Sequence, residues 1–124
     1  MIGALVTATV AMLAVTVLAF WTARRGAAGT LPRNDVIGIR TATTRASDEA
    51  WAAAHRAGAA DLRRSGFGAA ATAVLPWAAV TLPEPVREPA IAVVVLAGVA
   101  VLIGFTVRAG VVGQRAAREV TARR

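Results

Sequence analysis

The sequence contains no cysteine, no tyrosine and no lysine, and only one histidine in 124 residues. Without cysteine there can be no disulfide and no thiolate chemistry. A single histidine cannot build a zinc site of the usual His/Cys type within one chain. Charge is also scarce, at 17% of residues, against roughly 25% in soluble domains. Three long stretches carry no charged side chain at all: residues 1–23, 65–83 and 89–107. Ion-coupled transporters and proton pumps place ionisable groups at membrane depth, so this absence argues against both. Gly26 and Gly29 lack the strand, lysine and spacing of a phosphate-cradling loop. One His, two Ser and a few acids make no positioned nucleophile, base and oxyanion site. No catalytic residue, cofactor or metal is expected, and the chain is read as a non-enzyme.

What is present is apolar. Hydrophobic residues are 56% of the chain and the mean hydropathy is +0.59. The first uncharged stretch contains a 20-residue apolar run, Ile2 to Trp21, about 30 Å long as a helix and matched to the hydrocarbon core. No basic segment precedes it, so a retained span is preferred to a secretory signal. The expected spans are residues 2–23, 65–82 and 89–107. Pro76 should kink the second, and Trp21 and Trp77 suit the two interfaces. Three prolines between Pro83 and Pro89 predict a tight turn joining spans two and three. Small residues at spacings of three or four, such as Gly66/Ala70 and Ala69/Ala73, predict close packing into a three-helix bundle.

The arginines fix the expected orientation. The segment 24–64 holds eight (Arg24, Arg25, Arg33, Arg40, Arg45, Arg56, Arg63 and Arg64) against four acids. The tail 108–124 holds five against Glu119, whereas the Pro-rich turn holds only Arg87 against two glutamates. Positive-inside counting puts the long loop and the C-terminus in the cytoplasm and the N-terminus outside. The net charge of +7 would suggest nucleic acid on a soluble chain. Here the arginines border apolar runs, so the expected partners are membrane lipids, through anionic headgroups, and not nucleic acid.

Nearly all polar information lies between Pro32 and Arg56. Val36, Ile37 and Ile39 around Gly38 predict an extended segment with a turn or bulge, reached from span one by a flexible exit, residues 26–32. Asn34 suits a turn that bonds local backbone. Ser47 followed by Asp48 and Glu49 predicts a capped helix over residues 48–64. At 100° per residue, Trp51, Ala54, His55, Gly58 and Leu62 share one side. The charges fall elsewhere, as in an amphipathic helix lying along the inner interface or docked on the bundle's cytoplasmic end. His55 is expected beside the Trp51 indole, bonded to a nearby carbonyl or headgroup. Arg40 is expected to pair with Asp48, Glu49 or a lipid phosphate, or to contact a ligand.

The positions Asn34, Ile37, Gly38, Ile39, Arg40, Thr41, Thr44, Ser47, Trp51 and His55 resemble the signature of the SdpI family, with one span before it and two after. This is the signature half of the family's longer namesake. The resemblance implies an all-α membrane protein of the bacterial plasma membrane, with three transmembrane helices and a cytoplasmic interfacial helix in one membrane domain, residues 1–124. The namesake is an immunity protein, which implies tolerance to a membrane-active antimicrobial peptide through protein–protein interaction. A small accessory subunit of a larger membrane complex is the alternative. Asn34, Gly38, Arg40, Thr41, Ser47, Trp51 and His55 are the candidate ligand or partner contacts.

Overall fold

The computed structural model describes all residues, Met1–Arg124. Three helices follow one another: α1, Ile2–Ala28; α2, Asp48–Ala79; and α3, Glu84–Ala122. The all-α expectation holds. Two of the three, α1 and α3, are long and apolar enough to cross a membrane. α2 does not reach that threshold, because its apolar half is built from Ala, Gly and Thr and its first half is charged.

The sequence boundaries change in four places. First, α1 does not stop at residue 23. It continues through Arg24 and Arg25 to Ala28 and ends where Gly29 adopts the left-handed conformation (φ 71°), the usual glycine cap. Gly26 is therefore inside the helix and buried, rather than part of a flexible exit. A side chain there would strike the His55 backbone carbonyl at 2.9 Å.

Second, no separate interfacial helix exists. Ser47 caps α2 by accepting from the Ala50 amide at 3.0 Å, and the helix then runs unbroken for 32 residues, with Pro76 inside it. No proline between Asp48 and Pro76 forbids this continuity, and the packing of α1 and α3 along the helix selects it.

Third, the Pro-rich segment is helical. The turn is Val80 to Pro83, and α3 begins at Glu84. Pro85 sits in the first turn, where a missing N–H costs nothing, and Pro89 removes only one backbone bond. Fourth, the basic tail is the continuation of α3, whose Ala109, Gly113 and Ala117 are buried.

α2 is the central element. α1 and α3 each pack on it and not on each other, so the helices splay instead of closing the expected bundle. The contacts are made through small residues. A side chain on Gly68 would meet the Leu102 amide at 2.8 Å and the Gly98 carbonyl at 3.1 Å. Gly66 lies against the Phe20 ring and the Ala19 methyl. Ala69 and Ala73 are buried, as their spacing predicted, whereas Ala4, Ala8, Ala97 and Ala100 are exposed. Around these contacts, Val10, Val17, Val93, Leu96 and Val107 point outward, as expected of helices solvated by hydrocarbon.

Candidate functional site

The site is assembled where the loop between α1 and α2 folds back over the first turns of α2. Ser47 fixes the start of the helix, which places Trp51 and His55 one turn apart on its inner face. The Trp51 Nε1–H donates to the Leu31 carbonyl at 2.9 Å. That bond ties the chain leaving α1 to α2. The indole and imidazole rings lie 4.2 Å apart, tilted by 37°.

His55 is 1% exposed, and both ring nitrogens are used. Nδ1 lies 2.8 Å from the Trp51 carbonyl and donates to it. Nε2 accepts from the Ile39 amide at 2.8 Å. A protonated ring would turn Nε2 into a donor facing another donor. Burial of the ring also pushes its pKa below the ordinary 6.5, opposed by the bond to the Trp51 carbonyl. The neutral Nδ1–H form is thus built in. The expected His–Trp neighbourhood and the carbonyl bond are both present. The second bond, from the loop backbone, was not legible from residue types.

Gly38 makes that bond possible. Its φ is +111°, and a side chain there would collide with the His55 Nε2. The turn expected at Gly38 is observed, although the flanking residues form bends rather than a strand. It delivers Ile39 inward. The Ile39 Cδ1 fills the space above Gly58 of α2 and Gly113 of α3, so that a side chain on either would come within 2.9 or 2.7 Å of it. One isoleucine thus wedges the loop into the α2–α3 seam.

The next residues cap themselves. Thr44 Oγ1 accepts from the Thr41 amide at 2.9 Å, and Thr41 Oγ1 accepts from the Thr44 amide at 3.1 Å, a reciprocal arrangement like a capping box. The fully buried Thr44 hydroxyl donates to the Ile39 carbonyl at 2.7 Å. Thr41 also donates to Gln114 Oε1 on α3, and Gln114 Nε2 donates to Thr43 Oγ1 at 3.1 Å. Asn34 behaves as expected. Its Oδ1 accepts from the Val36 and Ile37 amides at 2.8 and 2.7 Å, and its Nδ2 donates to the Pro32 carbonyl.

Arg40 does not make the expected pair with Asp48 or Glu49. Asp48 pairs with Arg33 at 3.3 Å and Glu49 with Arg124 at 2.8 Å, so neither is available to it. Arg40 donates instead to the Asp35 carbonyl and is exposed. The structure therefore brings Gly38, Thr41, Trp51 and His55 into one packed cluster, with Ser47 and Asn34 shaping its ends and Arg40 outside.

Two residues that matter escaped the sequence reading. Gln114 is the chain's only glutamine, a signal in itself within an Ala/Val/Arg stretch. Asp61 is 4% exposed and accepts from Arg64 at 2.8 Å while pairing with Arg108 of α3 at 3.4 Å. Its i,i+3 spacing to Arg64 was visible. Its burial against α3 was not.

The loop, α2 and the apolar part of α3 coincide with a known family. Residues 30–108 match the SdpI/YfhL protein family. The chain belongs to this family. No curated protein and no solved structure matches it. The match covers the signature loop, all of α2 and the apolar part of α3 in this SdpI/YfhL membrane protein. It begins just after the Gly29 cap of α1, so the matched region is the self-capped loop seated on the α2–α3 pair. The residues holding that seat are backbone-directed: they bond amides and carbonyls of the loop more than each other.

Proposed function

We propose that this SdpI/YfhL-family protein crosses the bacterial plasma membrane three times and confers tolerance to a membrane-active antimicrobial peptide by binding it. The third crossing is the apolar half of α2, residues 65–79. The N-terminus and the α2–α3 turn lie outside, and the signature loop and C-terminus lie in the cytoplasm. The observation that carries the reading is the groove left by the splayed helices. It is walled by Leu18 of α1 and Leu102 of α3, floored by Leu62 of α2 and roofed by Val36, Ile37 and Ile39 of the loop, with a volume of about 370 Å³.

Two of the three hydroxyls lining this groove are already satisfied. The Ser65 hydroxyl donates to the Leu62 carbonyl at 2.7 Å, and the Thr106 hydroxyl to the Leu102 carbonyl at 2.7 Å. Such a surface suits a largely apolar occupant, because it offers a polar one little beyond the Thr22 hydroxyl. An apolar helix of the peptide seated there would bury side chains that α1 and α3 otherwise expose. The family's immunity namesake supports the same role. Arg40, exposed at the cytoplasmic face and without a carboxylate, is the signature side chain free to contact a partner.

The test is expression in a peptide-sensitive bacterium, with a photo-crosslinking residue at Val36, which also lines the groove. The expected outcome is a raised inhibitory concentration and a crosslink to the added peptide. Leu102→Trp, which fills the groove, should abolish both while the protein still accumulates. Unchanged sensitivity with a crosslink to a resident membrane protein would replace this reading with that of an accessory subunit.

A further inference from the structure

On the opposite face of the α1–α2 pair lies a second groove, of about 800 Å³, floored by Ala23, Ala27, Ala59 and Ala60 and closed at one end by Phe20. Arg24 of α1 and Arg56 and Arg63 of α2 line it. The chain's ion pairs use Arg33, Arg45, Arg64, Arg108 and Arg124. The three groove arginines take part in none of them. All three are exposed.

The groove has a direction. Its floor spans residues 20–28 of α1, about 12 Å along the helix axis. At the Gly29 end, Arg56 lies over the glycine cap, near enough that a side chain there would meet its guanidinium. At the other end, Phe20 meets Phe67 edge-on, with ring centroids 5.1 Å apart. Phe67 is four residues beyond Arg63 and continues the same face of α2. It is exposed, at the start of the chain's apolar half. The groove thus runs from cationic at its cytoplasmic end to aromatic and apolar at its membrane end.

We infer that this groove holds one anionic phospholipid. The phosphodiester would lie among Arg24, Arg56 and Arg63, which can each supply paired N–H donors to phosphate oxygens. An acyl chain would leave past Phe20 and Phe67. Alanines on both walls keep the trough open for it. Charge complementarity carries this assignment: three guanidiniums without ion pairs line a trough whose other surface is apolar, and an amphiphile with an anionic head satisfies both. The site is independent of the peptide groove, which lies across the α1–α2 contact.

The test is titration of the full chain in mild detergent with phosphatidylglycerol, read as bound lipid by native mass spectrometry, with phosphatidylcholine and inorganic phosphate as comparisons. Each arginine near an anionic headgroup is worth about fivefold in affinity. The triple variant Arg24→Gln/Arg56→Gln/Arg63→Gln should therefore lose about a hundredfold. Arg115→Gln/Arg118→Gln/Arg123→Gln, with the same loss of charge at the C-terminal end, should bind like the parent. Ala60→Phe keeps every charge but fills the floor, and should also weaken binding. Melting in lipid-free detergent checks that each variant is folded, and Ala60→Phe alone decides the matter if the triple variant is not. Equal losses in both triple variants, or unchanged binding by a folded Ala60→Phe, would overturn the site. Equal binding of phosphatidylcholine, or displacement of the lipid by phosphate at comparable concentration, would overturn the identity of its occupant.

Discussion

At the scale of single residues, the signature loop depends on one bond between a backbone amide and an imidazole. Gly38 is the residue that permits it. Replacing Gly38 with Ala puts a side chain into the left-handed region, a strain of about 1–2 kcal/mol, and drives its Cβ into the His55 ring. Gly38→Ala should lower the melting temperature and make the loop accessible to protease, whereas Ala42→Gly, at an exposed loop position, should leave both unchanged. His55 gives the same cluster a pH dependence. Its folded pKa is lowered, so below 6.5 the unfolded chain takes up a proton that the folded chain resists. Stability from this residue is complete above about pH 6.5 and declines as pH falls from there toward the folded pKa. Melting temperatures of the parent, measured from pH 8 to 5, should therefore drop more steeply than those of His55→Gln, which accepts the Ile39 bond without titrating.

At the scale of elements, the glycines along α2 and α3 set how closely the helices approach. The Gly68–Gly98 contact is backbone against backbone, and Thr72 fills the gap beside Gly98. A valine at 98 has no empty volume to enter. Overpacking of this kind costs about 1–3 kcal/mol. Gly98→Val should lower stability accordingly, read by thermal melting in detergent, while Gly104→Val, where nothing lies near the new atoms, should behave like the parent. The comparison isolates packing from helix propensity, since both positions lie within α3. The α2–α3 pair is fastened a second time at the end that carries the loop. There Asp61 bridges to Arg108, Gln114 holds Thr41 and Thr43, and Glu49 meets Arg124.

At the scale of the whole molecule, the arginine asymmetry predicts which end faces the cytoplasm. A reporter active only in the cytoplasm should work when fused after Arg124 and be silent when inserted in the turn between α2 and α3. The reverse pattern would remove the topology, and with it the placement of the loop at the inner face. The splay of α1 and α3 from a shared central helix has a consequence at the same scale. A chain of this size leaves both flanks of α2 open, and the two grooves have opposite characters. One is apolar and roofed by the loop, and the other is rimmed by arginine.

How much of this the sequence determined depends on the range of the interaction. Local rules placed the Ser47 cap, the Asn34 turn, the Trp51–His55 pairing and the turn at Gly38, because each is decided within a few residues by backbone geometry. The charge-free runs marked α1 and α3 as long and apolar, and the density of matching loop residues marked the family. Tertiary structure decided the rest. Whether residues 48–64 and 65–79 form two helices or one is settled by what their shared inner face packs against: α1, the loop and α3 all dock along it. The sequence showed Trp51, Ala54, His55, Gly58 and Leu62 on that face but not the partners awaiting them. Asp61, Gln114 and Ile39 act across helices, through contacts between residues 16 to 73 positions apart. No local pattern encodes such a separation. The physical reason is that a side chain's neighbours along the helix follow from the 3.6-residue repeat, whereas its neighbours across the seam follow from where small residues let two backbones meet.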